Sequence, residues 1–163
     1  MHVIVNKKYL TFKNFKAKCS VGRRGIRGKK REGDFVTPKG TFKIKQVLLR
    51  KDRVRRFQSK LLINNITKRM GWCDDPRSNK YNQLIKYPFS YSSEKLYRSD
   101  NIYDIMVVLD FNMNPTLKNK GSAIFIHVAK NNYSPTKGCI ALKKNDLMKL
   151  LKIISKKTKV KVY

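Results

Sequence analysis

The stretch SAIFIHVAKNNYSPTKGCIAL, residues 122–142, contains the features from which we predict the fold and the site. An apolar run ends in His127, a turn-rich loop follows, and Gly138-Cys139 leads into a second apolar run. The chain has only two histidines and three cysteines, so one of each lying 12 positions apart is informative. A strand, a return loop and a second strand or helix start would bring the thiol to a base, as nucleophilic catalysis requires.

The rest of the chain predicts a mainly β protein of one domain, residues 1–163, which is long enough for a core without disulfides. Period-two alternation, apolar runs and turn residues predict strands, and the spacing of Leu147, Leu150, Leu151 and Ile154 predicts one helix. The strands are expected at 2–6, 9–12, 16–22, 41–49, 61–65, 103–112, 122–129 and 158–163. Residues 70–89 are predicted to form a long ordered loop, and residues 92–100 a short helix with a serine N-cap.

The composition is strongly basic, with 39 Lys and Arg against 10 Asp and Glu and a formal charge of +29. The densest clusters of Lys and Arg lie at 22–31 and 50–60, and such clusters are typical of a nucleic-acid-binding surface. Lysine spread along the whole chain and abundant asparagine favour compositional bias instead, so we consider nucleic acid an unlikely partner. The longest apolar runs are too short to span a membrane, and no secretory signal is recognised, which predicts a cytoplasmic protein. A periplasmic or cell-envelope location is the alternative.

The residue types of Cys139 and His127 indicate which reactions the pair could carry out. His127 could accept the thiol proton of Cys139, or hold it as an ion pair, and later protonate a leaving amine. Gly138 would let the backbone approach a substrate closely, and the surrounding positive charge is expected to favour the thiolate. One Cys and one His cannot build a usual four-ligand zinc site, so we expect neither a metal nor a cofactor. The alternative is a core histidine beside a buried thiol.

The segment HVAKNNYSPTKGCIALKKNDLMKLL, residues 127–151, resembles the active-site signature of the L,D-transpeptidase (YkuD-type) catalytic domain. The matching positions are His127 and the run Thr136-Lys137-Gly138-Cys139. Residues 30–44, 71–82, 92–104 and 121–127 also look like this family, so the resemblance covers nearly the whole chain in order. Many members have His-Gly in the first motif, and Ser-His-Gly-Cys followed closely by Arg in the second. Here His127-Val128 and Thr136-Lys137 depart from that pattern, and the arginine is absent.

The resemblance implies a YkuD-like β-sandwich with one substantial helix after the catalytic cysteine, acting on peptidoglycan stem peptides or muropeptides. Cys139 would attack the third residue of a tetrapeptide, with His127 as acid and the backbone at Gly138 and Cys139 stabilising the oxyanion. A backbone carbonyl would serve to orient His127. Candidate substrate-binding residues are Thr136, Lys137, Trp72, Tyr81, Asn82 and Arg98, although Trp72 could equally pack in the core.

Three functions stay open on the sequence. We favour an L,D-carboxypeptidase of muropeptide recycling, because the predicted cytoplasmic location suits soluble tetrapeptides. The second function is an L,D-transpeptidase that forms 3-3 cross-links. The third is an inactive basic module that binds nucleic acid or another anionic polymer through residues 22–60.

Overall fold

A computed structural model describes residues 1–55 and 57–163 of the protein. Arg56, which belongs to the predicted basic cluster 50–60, lies outside the described residues. The strands are β1 (His2–Val5), β2 (Tyr9–Phe12), β3 (Phe15–Ser20), β4 (Ile26–Arg27), β5 (Thr37–Pro38), β6 (Gly40–Leu49), β7 (Ile63–Asn65), β8 (Met70–Cys73), β9 (Leu84–Lys86), β10 (Ser93–Lys95), β11 (Ile105–Leu109), β12 (Phe125–Val128), β13 (Ile140–Leu142) and β14 (Lys159–Val162). The described chain has one α-helix, α1 (Lys144–Ile153).

Nine strands form one sheet in the order β11-β12-β13-β3-β2-β1-β14-β6-β7, and β11 also pairs with β6. The sheet therefore curls until it closes on itself. The ten-residue strand β6 makes this possible, because its first part pairs with β14 and its second part with β11. The predicted mainly β fold, with one helix after Cys139, is confirmed.

Alternating apolar side chains fill the interior of the curled sheet. Val3 and Val5 of β1 and Val160 and Val162 of β14 all point into it and are at most 2% exposed. Helix α1 adds a face made of Leu147, Leu150 and Leu151, all fully buried in this main core. Burying an aliphatic side chain of this size stabilises the fold by roughly 1.5–3 kcal/mol, so the helix is held mainly by packing.

A smaller core lies on the outer face of β11 and β12. The three-stranded sheet β10-β8-β9 covers it, with Trp72 packed edge-on against Phe125 at 5.0 Å between ring centroids. Every residue of β11, β12 and β13 is buried, because the main core covers one face of these strands and the smaller core or the floor of the site described below lies on the other. Cys139 packs against this second core from its edge, which positions the site described below.

Two sequence-based predictions are wrong at this smaller core. Residues 70–89 are not one long loop, since they contain strands β8 and β9. Residues 92–100 are not helical, since Ser93–Lys95 forms β10 and pairs antiparallel with Gly71–Cys73. A helix of so few residues is marginal by itself, whereas the strand gains backbone hydrogen bonds and packing from β8. The other predicted strands and the helix are present, with ends shifted by a few residues.

Candidate active site

Parallel strands bring Cys139 and His127 to the same face of the sheet. His127 in β12 lies opposite Ala141 in β13, and Cys139 precedes Ala141 by two positions. Because side chains alternate with a period of two, Cys139, Ala141 and His127 share one face. All three line a groove of about 870 Å³.

The thiol of Cys139 is half-buried and is held by backbone groups of the segment before His127. Its Sγ donates to the carbonyl of Ala123 at 3.1 Å and accepts the N–H of Phe125 at 3.4 Å. Burial, with a smaller contribution from Glu94, raises the pKa of Cys139 to about 12, and Lys29 opposes this only weakly. Positive charge from Lys29 favours the thiolate, as expected, but burial outweighs it, so the pKa of about 12 makes the neutral thiol the main form in the free site.

His127 is 7% exposed, and its ring is oriented by a neighbouring backbone carbonyl. Nδ1 lies 2.9 Å from the carbonyl oxygen of Val128. The tautomer with its proton on Nδ1 donates to this oxygen, which leaves the lone pair of Nε2 free to accept a proton. Burial lowers the pKa of His127 to about 4, although the Val128 hydrogen bond opposes the shift. The imidazole is thus neutral at physiological pH, and its Nε2 is available to accept a proton as a weak base.

Tyr103 packs against the imidazole of His127 and is hydrogen-bonded to Glu94. Neither Tyr103 nor Glu94 was singled out from the sequence. The ring of Tyr103 meets that of His127 edge-on, with 5.5 Å between centroids. Its hydroxyl donates to Oε1 of Glu94 at 2.6 Å, and burial raises the pKa of that carboxyl. Arg98, which is paired with Asp100, lies 5.3 Å from the Tyr103 ring. The position of Glu94 depends on β10, so a sequence reading that made this segment helical could not place it.

Two threonine hydroxyls fix the backbone at the cysteine. Thr136 Oγ1 accepts the N–H of Gly138 at 3.1 Å and donates to the carbonyl of Cys139 at 2.6 Å. Thr37 Oγ1 donates to the carbonyl of Gly138 at 2.8 Å. Gly138 has φ of 147°, and a Cβ there would lie 3.0 Å from the carbonyl oxygen of Val36. A glycine is therefore required on both conformational and steric grounds.

The groove lining carries more cationic than anionic side chains. The cations are Arg23, Lys29, Arg98, Lys130 and Lys137, and the carboxylates are Glu32, Asp74 and Glu94. Lys29 is anchored by Asp34, whose Oδ1 lies 2.5 Å from Nζ, and the side chains of both are at most 9% exposed. Burial raises the pKa of Asp34, but hydrogen bonds from Lys29 and from backbone amides outweigh it and lower the pKa to about 2.

The predicted substrate-binding residues divide into two groups. Thr136, Lys137 and Arg98 line the groove. Trp72, Tyr81 and Asn82 lie beneath it, each at most 3% exposed, and are not among its lining residues.

Trp72, Tyr81 and Asn82 support residues 121–123. This segment includes Ala123, whose carbonyl accepts the hydrogen bond from the Cys139 thiol. Asn82 Oδ1 accepts from Trp72 Nε1 at 3.1 Å and from the N–H of Ala123 at 3.0 Å. The Tyr81 hydroxyl donates to Glu32 Oε2 at 2.5 Å and accepts the N–H of Gly121 at 3.0 Å. These contacts place the three residues as supports of residues 121–123.

The described residues contain no candidate metal-binding site. Across residues 1–55 and 57–163, no three His, Cys, Asp or Glu side chains are grouped so that they could hold a metal ion. The one helix of the same residues is too short to cross a membrane.

A thiol and a neutral imidazole facing one groove of a mainly β domain define a class of cysteine acyl-transfer sites. The chain belongs to the YkuD family, the L,D-transpeptidase catalytic domain, whose model matches residues 1–162. It is therefore a cysteine enzyme of the L,D-transpeptidase family, which acts on peptidoglycan. A search of curated proteins finds no match to this chain.

Proposed function

We propose that this protein cleaves the L,D bond before the terminal D-alanine of peptidoglycan tetrapeptide stems, with Cys139 as nucleophile and His127 as acid and base. The observation that supports this most directly is the placement of both side chains on one face of β12 and β13, at one groove. Trp72, Tyr81 and Asn82 then act as supports, and Thr136 positions the cysteine through its backbone hydrogen bonds.

In the first half-reaction, Sγ of Cys139 attacks the carbonyl carbon of the third stem residue while its proton passes to Nε2 of His127. Because both groups are neutral before substrate binds, proton transfer accompanies attack and no preformed ion pair is needed. The amide of Gly138 is already donated to Thr136, so the amide of Cys139 is the motif donor assigned to the oxyanion. Such a donor contributes about 3–4 kcal/mol to transition-state stabilisation.

Collapse of the tetrahedral adduct breaks the C–N bond. The imidazolium of His127 gives its proton to the leaving amine, D-alanine departs, and a thioester on Cys139 remains. The acid that forms is strong, because burial lowers the pKa of His127 to about 4.

Water is the acceptor that we propose for the thioester, which makes the protein an L,D-carboxypeptidase of soluble muropeptides. The amine acceptor of a transpeptidase is a cation when it approaches, and on the groove lining it would meet Arg23, Lys130 and Lys137, none of which is in an ion pair with a described residue. The same charge suits a donor peptide rich in carboxylates. Nε2 of His127 accepts a proton from the water as its oxygen attacks the thioester carbon. The C–S bond then breaks, the imidazolium returns the proton to Sγ of Cys139, and the tripeptide leaves with a new carboxyl group. On this proposal the setting is muropeptide recycling.

An L,D-transpeptidase is the second candidate, because the same thioester would serve an amine acceptor. The carboxylates Asp74 and Glu94 on the groove wall are the observation in its favour, since they could hold such a cation. Cross-linking would place the protein in the cell envelope.

The experiment is incubation with disaccharide-tetrapeptide and measurement of the product masses. Release of D-alanine alone supports the carboxypeptidase, and a dimeric product supports the transpeptidase. Cys139→Ala removes the nucleophile, and Cys139→Ser is the near-isosteric companion that keeps the packing. Absence of turnover in the folded wild type, together with failure of a carbapenem to label Cys139, would contradict both. Cys19 and Cys73 are buried and serve as internal controls for labelling.

A further inference from the structure

A second cleft, of about 810 Å³, lies beside the groove and is lined by cations. Its cationic side chains are Lys7, Lys8, Lys18, Arg23, Arg24 and Arg27. No acidic residue is among the described residues that line it. Six positive charges around one concavity repel each other, so a ligand that carries several negative charges would relieve the repulsion.

The walls and floor of this cationic cleft also carry features that suit a ligand. Tyr9 and Tyr133 line it too. Tyr9 is 40% exposed, and Lys16 lies over one face of its ring, 4.3 Å from the centroid, which leaves the opposite face for stacking. Lys18 lies over the Tyr133 ring, 4.8 Å from its centroid, which holds this cation at the wall.

The cationic cleft adjoins the groove. Arg23 and Pro135 line both. The N–H of Arg23 donates to the carbonyl of Thr136, and the N–H of Thr136 donates to the carbonyl of Val21, both at 3.0 Å. One layer of backbone therefore separates the cleft from the motif that carries Cys139. The shared residues Arg23 and Pro135 mark the edge at which a ligand seated in the cleft would reach the groove.

We propose that the cationic cleft binds a nucleoside diphosphate joined to the sugar end of the stem-peptide substrate, so that the preferred substrate is a nucleotide-linked muramyl peptide. This inference rests on the proposed function. The diphosphate meets Lys18, Arg23 and Arg24, and the base stacks on Tyr9. A nucleic acid fits the observations less well, because the charges surround a concavity of ligand size and not an extended track.

Binding is measured first, without turnover, by calorimetry with uridine diphosphate, inorganic pyrophosphate and uridine. We expect uridine diphosphate to bind and uridine alone to bind at least about tenfold more weakly, because charge-assisted hydrogen bonds supply the affinity. The double variant Lys18→Ala, Arg24→Ala should weaken the binding of uridine diphosphate at least about tenfold. Tyr9→Ala should weaken the binding of uridine diphosphate but leave the affinity for pyrophosphate unchanged.

The matched control is Lys156→Ala, Lys157→Ala, which removes the same charge from exposed positions away from the cleft. Equal weakening by the control would overturn the proposal, since the effect would then be one of net charge. Uridine diphosphate binding no tighter than uridine would overturn it as well. Binding of duplex DNA that depends on Lys18 and Arg24 and is not displaced by uridine diphosphate would also overturn the proposal.

Turnover then distinguishes the substrate. The cleft double variant should lower kcat/KM at least about tenfold for a nucleotide-linked muramyl tetrapeptide and leave the value for the same peptide without the nucleotide unchanged. Equal values for both substrates in the wild type would overturn the substrate assignment. Nucleotide binding in a protein that turns over neither substrate would contradict the proposed function, and the cleft site would stand on its binding data.

Discussion

The neutral thiol of Cys139 gives a prediction that separates this site from one with a preformed ion pair. The measurement is the rate at which iodoacetamide alkylates Cys139, followed by mass mapping across a range of pH. Burial moves the pKa of this thiol from 9.0 to about 12. The thiolate is the reactive form, so the rate should rise about tenfold with each pH unit well beyond neutrality and reach no plateau near pH 7.

The size of the effect follows from the same shift. A pKa of about 12 in place of 9.0 reduces the thiolate fraction at neutral pH about a thousandfold. The more basic thiolate is intrinsically more nucleophilic by about 15- to 30-fold, given a Brønsted coefficient of about 0.4–0.5. Alkylation of Cys139 at neutral pH should therefore be about 30- to 60-fold slower than that of an ordinary thiol.

The control is His127→Gln, which removes the base and keeps a polar side chain. In the free protein it should change the alkylation rate of Cys139 by less than about threefold, because a neutral imidazole does not stabilise the thiolate. A fast reaction that levels off near neutral pH and is abolished by His127→Gln would refute the neutral pair and show a thiolate–imidazolium pair. Unfolded protein, in which all three cysteines react as ordinary thiols, supplies the reference rate.

Three further predictions concern the support of the site. Thr136→Val should lower kcat/KM about 30-fold, because two hydrogen bonds of about 1 kcal/mol each are lost, and Thr136→Ser should restore most of it. Gly138→Ala should lower the free energy of unfolding in urea by about 1–3 kcal/mol through its φ of 147° and the contact with the Val36 carbonyl, and an unchanged value would contradict this. Asp34→Ala should cost about 3–5 kcal/mol in the same assay, because it leaves Lys29 buried without its partner. Since the pKa of Asp34 is lowered to about 2, its contribution of about 2 kcal/mol is present above pH 4 and should be lost as pH falls towards 2 in the wild type only.

Local patterns in the sequence were enough to predict most of the curled sheet. The alternation of Val3 and Val5, and of Val160 and Val162, reflects strands with one face in the core. The spacing of the helix leucines likewise reports a single buried face. Each of these signals is contained in a few consecutive residues.

The smaller core could not be predicted this way, because its strands depend on distant partners. Ser93–Lys95 is polar, and it is a strand only because β8 is there to pair with it. The same dependence hid part of the candidate site, since Glu94 meets Tyr103 through β10. Lys29 was also missed, because a lysine in a basic loop gives no sign that Asp34 will bury it.

The nucleophile and the base were the easier part of the site. Cys139 and His127 are rare residue types in a recognisable order, and their approach requires only two adjacent strands. Trp72 and Asn82 were proposed as groove residues because they lie in segment 71–82, which resembles the family and was predicted to be part of a long ordered loop. In the structure, their hydrogen bond to each other and the bond from Ala123 to Asn82 place them under the groove.

The central claim is that the acyl group passes through a thioester on Cys139. The most direct test is to quench the protein with acid during turnover of disaccharide-tetrapeptide and to measure its intact mass and the modified peptide. The account predicts an adduct equal to the substrate minus D-alanine, located on Cys139 and absent in Cys139→Ala. Release of D-alanine by the Cys139→Ala variant, or an acyl adduct on any other residue, would contradict it.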